Sequence, residues 1–259
     1  MSLSGGTKRV FQAHWLGRVD YDTARELQAC LAVEIAAGRR PPTVLLLEHP
    51  PVITIGRRGG WEHIRWDAGQ LAEQGIQVRE VDRGGDVTLH GPGQLVGYPL
   101  LPLAAPGWAG GRLPQADFTG YLRKLEQAII HLLARCGVAS GQREGLTGVW
   151  VPAAAWAKCT RCDPGRQPAP AKIASIGVKV DGRGISQHGF ALNVNPRMET
   201  WEAIVPCGLA GVQMACMADF VDPPEMPALA AMAAGELGET LGYEMEWVEM
   251  DSSIQSILC

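Results

Sequence analysis

The sequence predicts an α/β protein of the α+β type, with a mixed, largely antiparallel sheet flanked by helices. Hydrophobic residues make up 46% of the 259 residues and charged residues 19%, which is enough apolar material for a sizeable core. Segments with helical spacing and segments of β-type residues are intermixed, without the regular βαβ alternation of a parallel sheet. No internal repeat with a period of about 20–50 residues is visible, which argues against a repeat architecture.

The predicted elements follow in chain order. Apolar residues recur at helical spacing over residues 21–37, after the N-cap candidate Asp20. A second helix, over residues 117–136, has the clearest apolar face, and Gly137 ends it. A third helix is predicted over residues 228–241. The predicted strands, rich in aliphatic and β-branched residues, cover residues 43–48, 52–56, 77–81, 147–151, 172–180, 185–194 and 244–248.

One domain is predicted over residues 1–259, with an Ala-, Pro- and Gly-rich inserted loop at about residues 153–171. The net charge of −4 argues against a general nucleic-acid-binding protein. The first residues lack the apolar segment of a secretory signal, and no stretch is long and apolar enough to cross a bilayer. We therefore expect a cytoplasmic protein without membrane association. Its seven cysteines, an odd number, are expected to be reduced thiols.

Residues 83–94, RGGDVTLHGPGQ, are rich in glycine and carry a histidine, His90. Glycine permits positive φ and close backbone approach, so this stretch could be a loop whose N–H groups line a ligand. It could equally be a pair of hairpin turns in which His90 is structural. It is not a P-loop, because no Gly-Lys-Ser/Thr ending is present.

Extended to RGGDVTLHGPGQLVGYPL, this stretch resembles the lipoyl(octanoyl) transferase family, the octanoyl-[acyl-carrier-protein]:protein N-octanoyltransferases. Further stretches fit the same family, in the same order and with similar spacing: HPPVITIGRR, TGVW, KIASIGVKV, HGFALNVNP and IVPCGL. The resemblance covers about residues 20–220, most of the chain. It implies a fold like the catalytic domain of biotin and lipoate protein ligases.

The resemblance also implies roles for particular residues. Cys207 matches the cysteine that forms the acyl thioester, and Lys172 matches the lysine that lowers the pKa of that thiol and exchanges its proton. A neighbouring cation has this effect because it favours the thiolate. Three stretches match those that bind the acyl substrate: Arg83, Gly84, Gly85, Asp86, Val87, Thr88, Leu89 and His90; Ser175, Ile176 and Gly177; Gly189, Phe190 and Ala191.

The implied reaction takes octanoyl from acyl carrier protein onto Cys207 and then onto a lysine of a lipoyl domain. The expected acceptors are the lipoyl domains of 2-oxoacid dehydrogenase complexes and the glycine cleavage H protein. No cofactor, metal or nucleic acid is expected. Three alternatives stay open: an ATP-dependent lipoate or biotin protein ligase, a cysteine hydrolase pairing Cys207 with His90 or His188, and a non-catalytic acyl-binding protein.

A few residues outside these stretches have two interpretations each. Cys159 and Cys162 form a C-x-x-C pair, but no second pair lies nearby, so a flexible loop or a disulfide is favoured over zinc. Trp61 and Trp108 could cover the acyl chain or pack on the surface. The arginine pairs 39–40 and 57–58 could contact an acidic carrier protein or be solvated charges.

Overall fold

The computed structural model describes residues 9–104, 115–157, 159, 169–249 and 254–255. The helices are α1 (Tyr21–Ala36), α2 (Ala68–Glu73), α3 (Gln115–Arg135), α4 (Ala153–Trp156) and α5 (Met226–Leu241). The strands are β1 (Arg9–Arg18), β2 (Thr43–Glu48), β3 (Val52–Ile55), β4 (Gln77–Glu80), β5 (Val87–His90), β6 (Gln94–Leu100), β7 (Gly141–Arg143), β8 (Leu146–Val151), β9 (Ala171–Val180), β10 (Ser186–Asn193), β11 (Gln213–Met214) and β12 (Tyr243–Trp247).

Two sheets are present among these residues. The larger has nine strands in the order β12-β1-β2-β6-β10-β9-β8-β7, with β11 paired to β9. Its central pairs are antiparallel, whereas β1 is parallel to both of its neighbours and β11 is parallel to β9. The smaller sheet has the order β4-β3-β5. The predicted mixed, largely antiparallel sheet flanked by helices is confirmed.

Three apolar cores follow from this arrangement. Side chains alternate across a strand, so β2 sends Val44 and Leu46 into a first core under α3 and α5, and Leu45 and Leu47 into a second core under α1. The larger sheet therefore carries helices on both faces. The third core lies on the smaller sheet and contains Ile53, Leu71, Leu89, Trp201 and Ile204, among others.

Local chemistry explains the helix ends. The Asp20 side chain accepts hydrogen bonds from the N–H groups of Asp22 and Thr23, as its predicted N-cap role requires. At the other end of the chain, α5 stops at Gly242, whose φ of 76° is the left-handed conformation that favours glycine. The three predicted helices agree with α1, α3 and α5 to within a few residues.

The sequence interpretation missed some elements. Strand β1 was not predicted, although it lies inside the larger sheet between β2 and β12. The glycine-rich stretch of residues 83–94 is neither one loop nor a pair of turns, because it contains β5 and the first residue of β6, which belong to different sheets. The predicted insertion begins with α4, and Cys159 is disulfide-bonded rather than reduced. Cys162, Trp108 and residues 107–114 lie outside the described residues.

Candidate active site

Cys207 lies on a tight turn, Pro206–Gly208, with an unusual backbone. Its φ is 58° and that of Gly208 is 67°. A residue with a side chain held in this left-handed region costs about 1–3 kcal/mol, so the surroundings must fix it. The turn is fastened by hydrogen bonds from Val205 N–H to the His63 carbonyl (2.8 Å) and from Gly208 N–H to the Val205 carbonyl (3.0 Å). The thiol is free and partly exposed.

Lys172 is the second residue of β9 and only 3% exposed. Its Nζ donates a hydrogen bond to Cys207 Sγ at 3.0 Å. The same Nζ lies 5.6 Å from the centre of the Trp150 ring, within the range of a cation–π contact. A buried ammonium and a thiolate each lose hydration, and each is stabilised when the other is adjacent. The structure thus brings together the two residues that the sequence predicts as nucleophile and base.

Space for the Lys172 side chain comes from Gly148 on β8. A Cβ at Gly148 would lie 2.5 Å from Lys172 Cε and 2.6 Å from the Ala174 carbonyl oxygen. The Gly148 N–H donates to Glu126 Oε1 at 2.8 Å, and Arg123 donates to the other carboxylate oxygen at 2.6 Å. Glu126 is completely buried. It therefore fixes the stretch of β8 against which Lys172 packs, a role that sequence reasoning missed.

Arg83 begins the predicted substrate-binding loop and is buried. Its guanidinium donates to the Thr54 hydroxyl (2.9 and 3.1 Å), the Thr54 carbonyl (2.7 Å) and the Gly84 carbonyl (3.0 Å). Burial lowers the pKa of Arg83, and nearby Tyr21 and Cys207 oppose that shift. The arginine thus anchors the loop to β3 while its charge lies near the thiol.

The three predicted substrate-binding stretches meet in space. On adjacent strands β9 and β10, Ser175, Ile176 and Gly177 pair with Ala191, Phe190 and Gly189 respectively. Gly84 N–H donates to the Val178 carbonyl at 3.0 Å, which holds the loop of residues 83–86 against β9. The rest of the first stretch, residues 87–90, forms β5. Spacing along the chain gives no hint of this register, which depends on how β9 and β10 pair.

A buried cluster of aromatic and histidine rings includes His90, at the end of the first of these stretches. His49 Nδ1–H donates to the Val19 carbonyl (2.7 Å), so its Nε2 accepts from the Tyr98 hydroxyl (2.7 Å). His90 stacks on Tyr21 with ring centres 6.0 Å apart. Burial lowers the pKa of His49 to about 4 and that of His90 well below its ordinary value, and raises the pKa of Tyr21 to about 12. These rings are therefore neutral at neutral pH.

A histidine–carboxylate pair lies beside the cysteine turn. His63 Nδ1 is 2.8 Å from Asp86 Oδ1, and the Asp86 carboxylate also accepts from Val87 N–H at 2.6 Å. A Cβ on Gly208 would collide with Asp86 Oδ2 and lie 3.0 Å from His63 Cε1. Asp86 was among the predicted residues, but His63 was not. It is a lone histidine in WEHIRW without a recognisable motif, so only the fold reveals it.

His188 is the third residue of β10. Its Nε2 contacts Asp82 Oδ1 at 2.8 Å, and its backbone has a φ of 56°. Asp82 also accepts from Lys179 at 2.6 Å, and the two contacts lower the pKa of the Asp82 carboxyl, the His188 hydrogen bond most. Burial lowers the pKa of His188. The hydrogen-bonding partner of its Nε2 is therefore Asp82.

Two surface clefts open near the site, of about 450 and 280 Å³. The smaller is bordered by Arg57 and Trp61, and the Trp61 ring is 57% exposed with its N–H donating to Glu80 at 2.9 Å. Arg39 pairs with Glu34 at 2.6 Å on the exposed end of α1. Neither cleft is bordered by Cys207 or Lys172, so the contact between their side chains, not a large cavity, locates the site.

Two further findings apply to the part of the chain that the structure describes. No group of three or more His, Cys, Asp or Glu side chains is arranged to hold a metal ion. No helix there is long and apolar enough to cross a membrane.

The fold is that of a lipoyl protein ligase catalytic domain. The chain belongs to the family of the lipoyl protein ligase A/B catalytic domain, whose model matches residues 20–237. Within that family, its curated relatives include octanoyltransferases. The protein from Chloroflexus aurantiacus is 37% identical over 237 residues, which cover 91% of this chain and 96% of the relative. That from Acidobacterium capsulatum is 39% identical over 239 residues, covering 90% and 91%.

These relatives confirm two predictions. The chain resembles the octanoyltransferases at family level, and it is an enzyme of the acyltransferase class. A further relative, from Chloroflexus aggregans, is 40% identical over 225 residues, covering 87% of this chain and 90% of the relative. Transfer of lipoyl-type or octanoyl groups is the activity that these similarities support.

Solved structures show the same fold at low sequence identity. A bipartite lipoate protein ligase from Thermoplasma acidophilum has a TM-score of 0.66 at 16% identity, covering 96% of this chain and 91% of that one. A lipoate-protein ligase A bound with ATP has a TM-score of 0.62 at 15% identity, covering 97% and 93%. They confirm the predicted likeness to the catalytic domain of lipoate protein ligases.

Proposed function

We propose that this protein transfers an octanoyl group from octanoyl-acyl carrier protein, through a thioester on Cys207, to the acceptor lysine of lipoyl domains. The observation that carries the proposal is the 3.0 Å contact between Lys172 Nζ and Cys207 Sγ. The similarity to octanoyltransferases over 91% of the chain supports the octanoyl group as cargo. A cytoplasmic location, shared with both partners, is part of the same proposal.

In the first half-reaction, the Cys207 thiolate attacks the carbonyl carbon of the donor thioester. A new carbon–sulfur bond forms and the bond to the carrier's sulfur breaks. The leaving thiolate takes the proton of the Lys172 ammonium, which leaves Lys172 neutral. Transfer between two thioesters is nearly even in energy, so the enzyme needs no ATP for this step.

In the second half-reaction, the amine of the acceptor lysine attacks the Cys207 thioester. The amide bond forms, the carbon–sulfur bond breaks, and the Cys207 thiolate is regenerated. Lys172 accepts one proton from the attacking nitrogen, which restores the ammonium–thiolate pair. Because an amide is more stable than a thioester, this step makes the overall transfer favourable.

The three substrate-binding stretches are proposed to hold the acyl chain beside the thiol. They lie together, as described above, and the ring of His90 and the buried rings of Tyr21 and His49 that contact it are neutral. Among the described residues, the Ser175 hydroxyl and His90 Nδ1 are buried without a hydrogen-bond partner. Buried polar groups are normally paired, so these two atoms are suited to contact a substrate.

The test is acylation of the protein by octanoyl-acyl carrier protein, followed by intact mass spectrometry. We expect the mass to rise by one octanoyl group, and hydroxylamine to remove that group. Cys207→Ala should abolish the increase. Cys30→Ala, which removes a free and exposed thiol, is the matched control and should leave it unchanged. Full octanoyl transfer by Cys207→Ala would refute the thioester mechanism.

The same assay separates the transferase from an ATP-dependent ligase. A ligase activates a free acid as its adenylate and has no need of a nucleophilic thiol. We expect no product from octanoate and ATP, and product from octanoyl-acyl carrier protein without ATP. The opposite pattern would favour the ligase and leave the contact between Lys172 and Cys207 without a catalytic purpose.

A further inference from the structure

His63 lies directly beside the chain that leads into the nucleophile. The His63 carbonyl accepts from Val205 N–H at 2.8 Å, and the next residue, Ile64, forms an antiparallel bridge with Ile204. Arg65 N–H then donates to the Ala203 carbonyl at 2.7 Å. The backbone of His63 is therefore fixed opposite Val205, which is two residues before Cys207.

Asp86 fixes the orientation and tautomer of the His63 ring. A carboxylate only accepts hydrogen bonds, so in the 2.8 Å contact His63 Nδ1 carries the hydrogen. The lone pair of a neutral imidazole is then on Nε2, the arrangement that a histidine base requires. The His63 side chain is 27% exposed, against 14% for Asp86, so a proton on the ring has a route to solvent.

The ring also faces the cysteine turn. A Cβ placed on Gly208 would lie 3.0 Å from His63 Cε1. Cε1 lies between the two ring nitrogens, so the ring of His63 is next to the residue that follows Cys207, and Nε2 is the ring nitrogen that Asp86 leaves free. Only a glycine leaves room there for the ring and the Asp86 carboxylate together.

The second half-reaction needs one more base than the cysteine and lysine supply. A lysine acceptor arrives as an ammonium with three hydrogens on nitrogen, since its ordinary pKa is about 10.4. The amide keeps one hydrogen, so two protons must leave. Lys172, neutral after the first half-reaction, accepts only one of them.

We propose that His63 Nε2 accepts the other proton, deprotonating the acceptor ammonium before it attacks the Cys207 thioester, and then releases that proton to solvent. This role rests on the function proposed above. It assigns His63 to the amine-transfer step alone, because the first half-reaction is balanced by Cys207 and Lys172 without it. Asp86 is a positioning residue that keeps the proton on Nδ1.

The experiment compares two nucleophiles on isolated acyl-enzyme. Wild-type protein and His63→Asn are acylated with octanoyl-acyl carrier protein, then treated with an unmodified lipoyl domain or with hydroxylamine, which is already neutral at neutral pH. The asparagine can still donate an N–H to Asp86 but cannot accept the proton. His131→Asn, at an exposed histidine on α3, is the matched control.

We expect His63→Asn to slow transfer to the lipoyl domain by about 10²-fold or more, the usual contribution of a general base. Acylation of Cys207 and its reaction with hydroxylamine should keep their wild-type rates, which also shows that the variant is folded. Unchanged transfer to the lipoyl domain would overturn the proposal. An equal loss with both nucleophiles would also overturn it, because it would show that His63 only supports the turn. Absence of a thioester in the wild-type protein would instead remove the proposed function on which this role depends.

Discussion

Replacing Gly148 with alanine should displace the catalytic Lys172 side chain while leaving that residue itself unchanged. The new Cβ would lie 2.5 Å from Lys172 Cε and 2.6 Å from the Ala174 carbonyl oxygen of the same strand, where ordinary contacts begin at 3.4 Å. Lys172 must therefore retreat by about 1 Å, because packed carbon atoms tolerate no closer approach. Its Nζ now lies 3.0 Å from Cys207 Sγ, and a retreat of that size breaks the hydrogen bond.

Two effects of this substitution can be given a magnitude. A misplacement of about 1 Å in a catalytic group costs on the order of 10²-fold in rate, so acylation of Cys207 should slow by about that factor. Alanine at a φ of 113° also adds about 1–3 kcal/mol of backbone strain. The strain lowers the free energy of unfolding but does not by itself move Lys172.

A control in the same hairpin separates the two effects. Gly145 also has a positive φ, 74°, but nothing lies within 4 Å of its missing Cβ, so Gly145→Ala adds strain without a clash. Single-turnover acylation is followed by mass spectrometry, and alkylation of Cys207 by iodoacetamide reports the thiolate. Gly148→Ala should slow both reactions of Cys207, and Gly145→Ala neither. A folded Gly148→Ala protein with wild-type acylation would refute the reasoning.

Two other predictions concern stability, measured by urea unfolding. Glu126→Gln should lower the free energy of unfolding by about 1–3 kcal/mol, because a neutral amide oxygen replaces the charged acceptor of the Gly148 N–H. Glu144→Gln, at an exposed residue, should have no effect. An equal free energy of unfolding for both variants would contradict this prediction. Burial holds the pKa of His49 at about 4, whereas in the unfolded chain it is about 6.5, so the unfolded state binds the extra proton between these values. The free energy of unfolding is therefore unaffected by His49 above about pH 6.5 and falls as the pH is lowered towards 4, by about 3 kcal/mol for His49 alone. An equal free energy of unfolding at about pH 7 and pH 4.5 would contradict this prediction.

How much of the site could be predicted depends on the kind of signal each residue carries. Cys207 and Lys172 stand in the stretches IVPCGL and KIASIGVKV, so the resemblance identifies both. Glu126 is one of several polar residues on the amphipathic helix α3, and such a residue is more often a solvated charge. Its burial depends on how α3 packs against β8. That packing is a tertiary property, and no local pattern encodes it.

The missed strand β1 has a similar explanation. Its alternation is weak, because His14 is buried along with Phe11 and Ala13. A strand inside a sheet with both faces covered is recognised by a run of aliphatic residues, and RVFQAHWLGR is not such a run. The parallel pairing of β1 with β2 and β12 joins distant parts of the chain, and that pairing, more than residue preference, determines the strand.

The two reactive residues come from different parts of the architecture. Lys172 is on the larger sheet, next to Ile173 of the first core, whereas Cys207 follows Ile204 of the third core, on the smaller sheet. Met214 connects them, since its side chain belongs to the third core while its backbone pairs in register with Lys172. The distance between Nζ and Sγ is therefore set by how the two sheets pack, and it reports that packing. A cavity made in the third core should consequently weaken the contact between Lys172 Nζ and Cys207 Sγ even though neither residue is changed, because the chain enters the turn of Cys207 from Ile204 of that core.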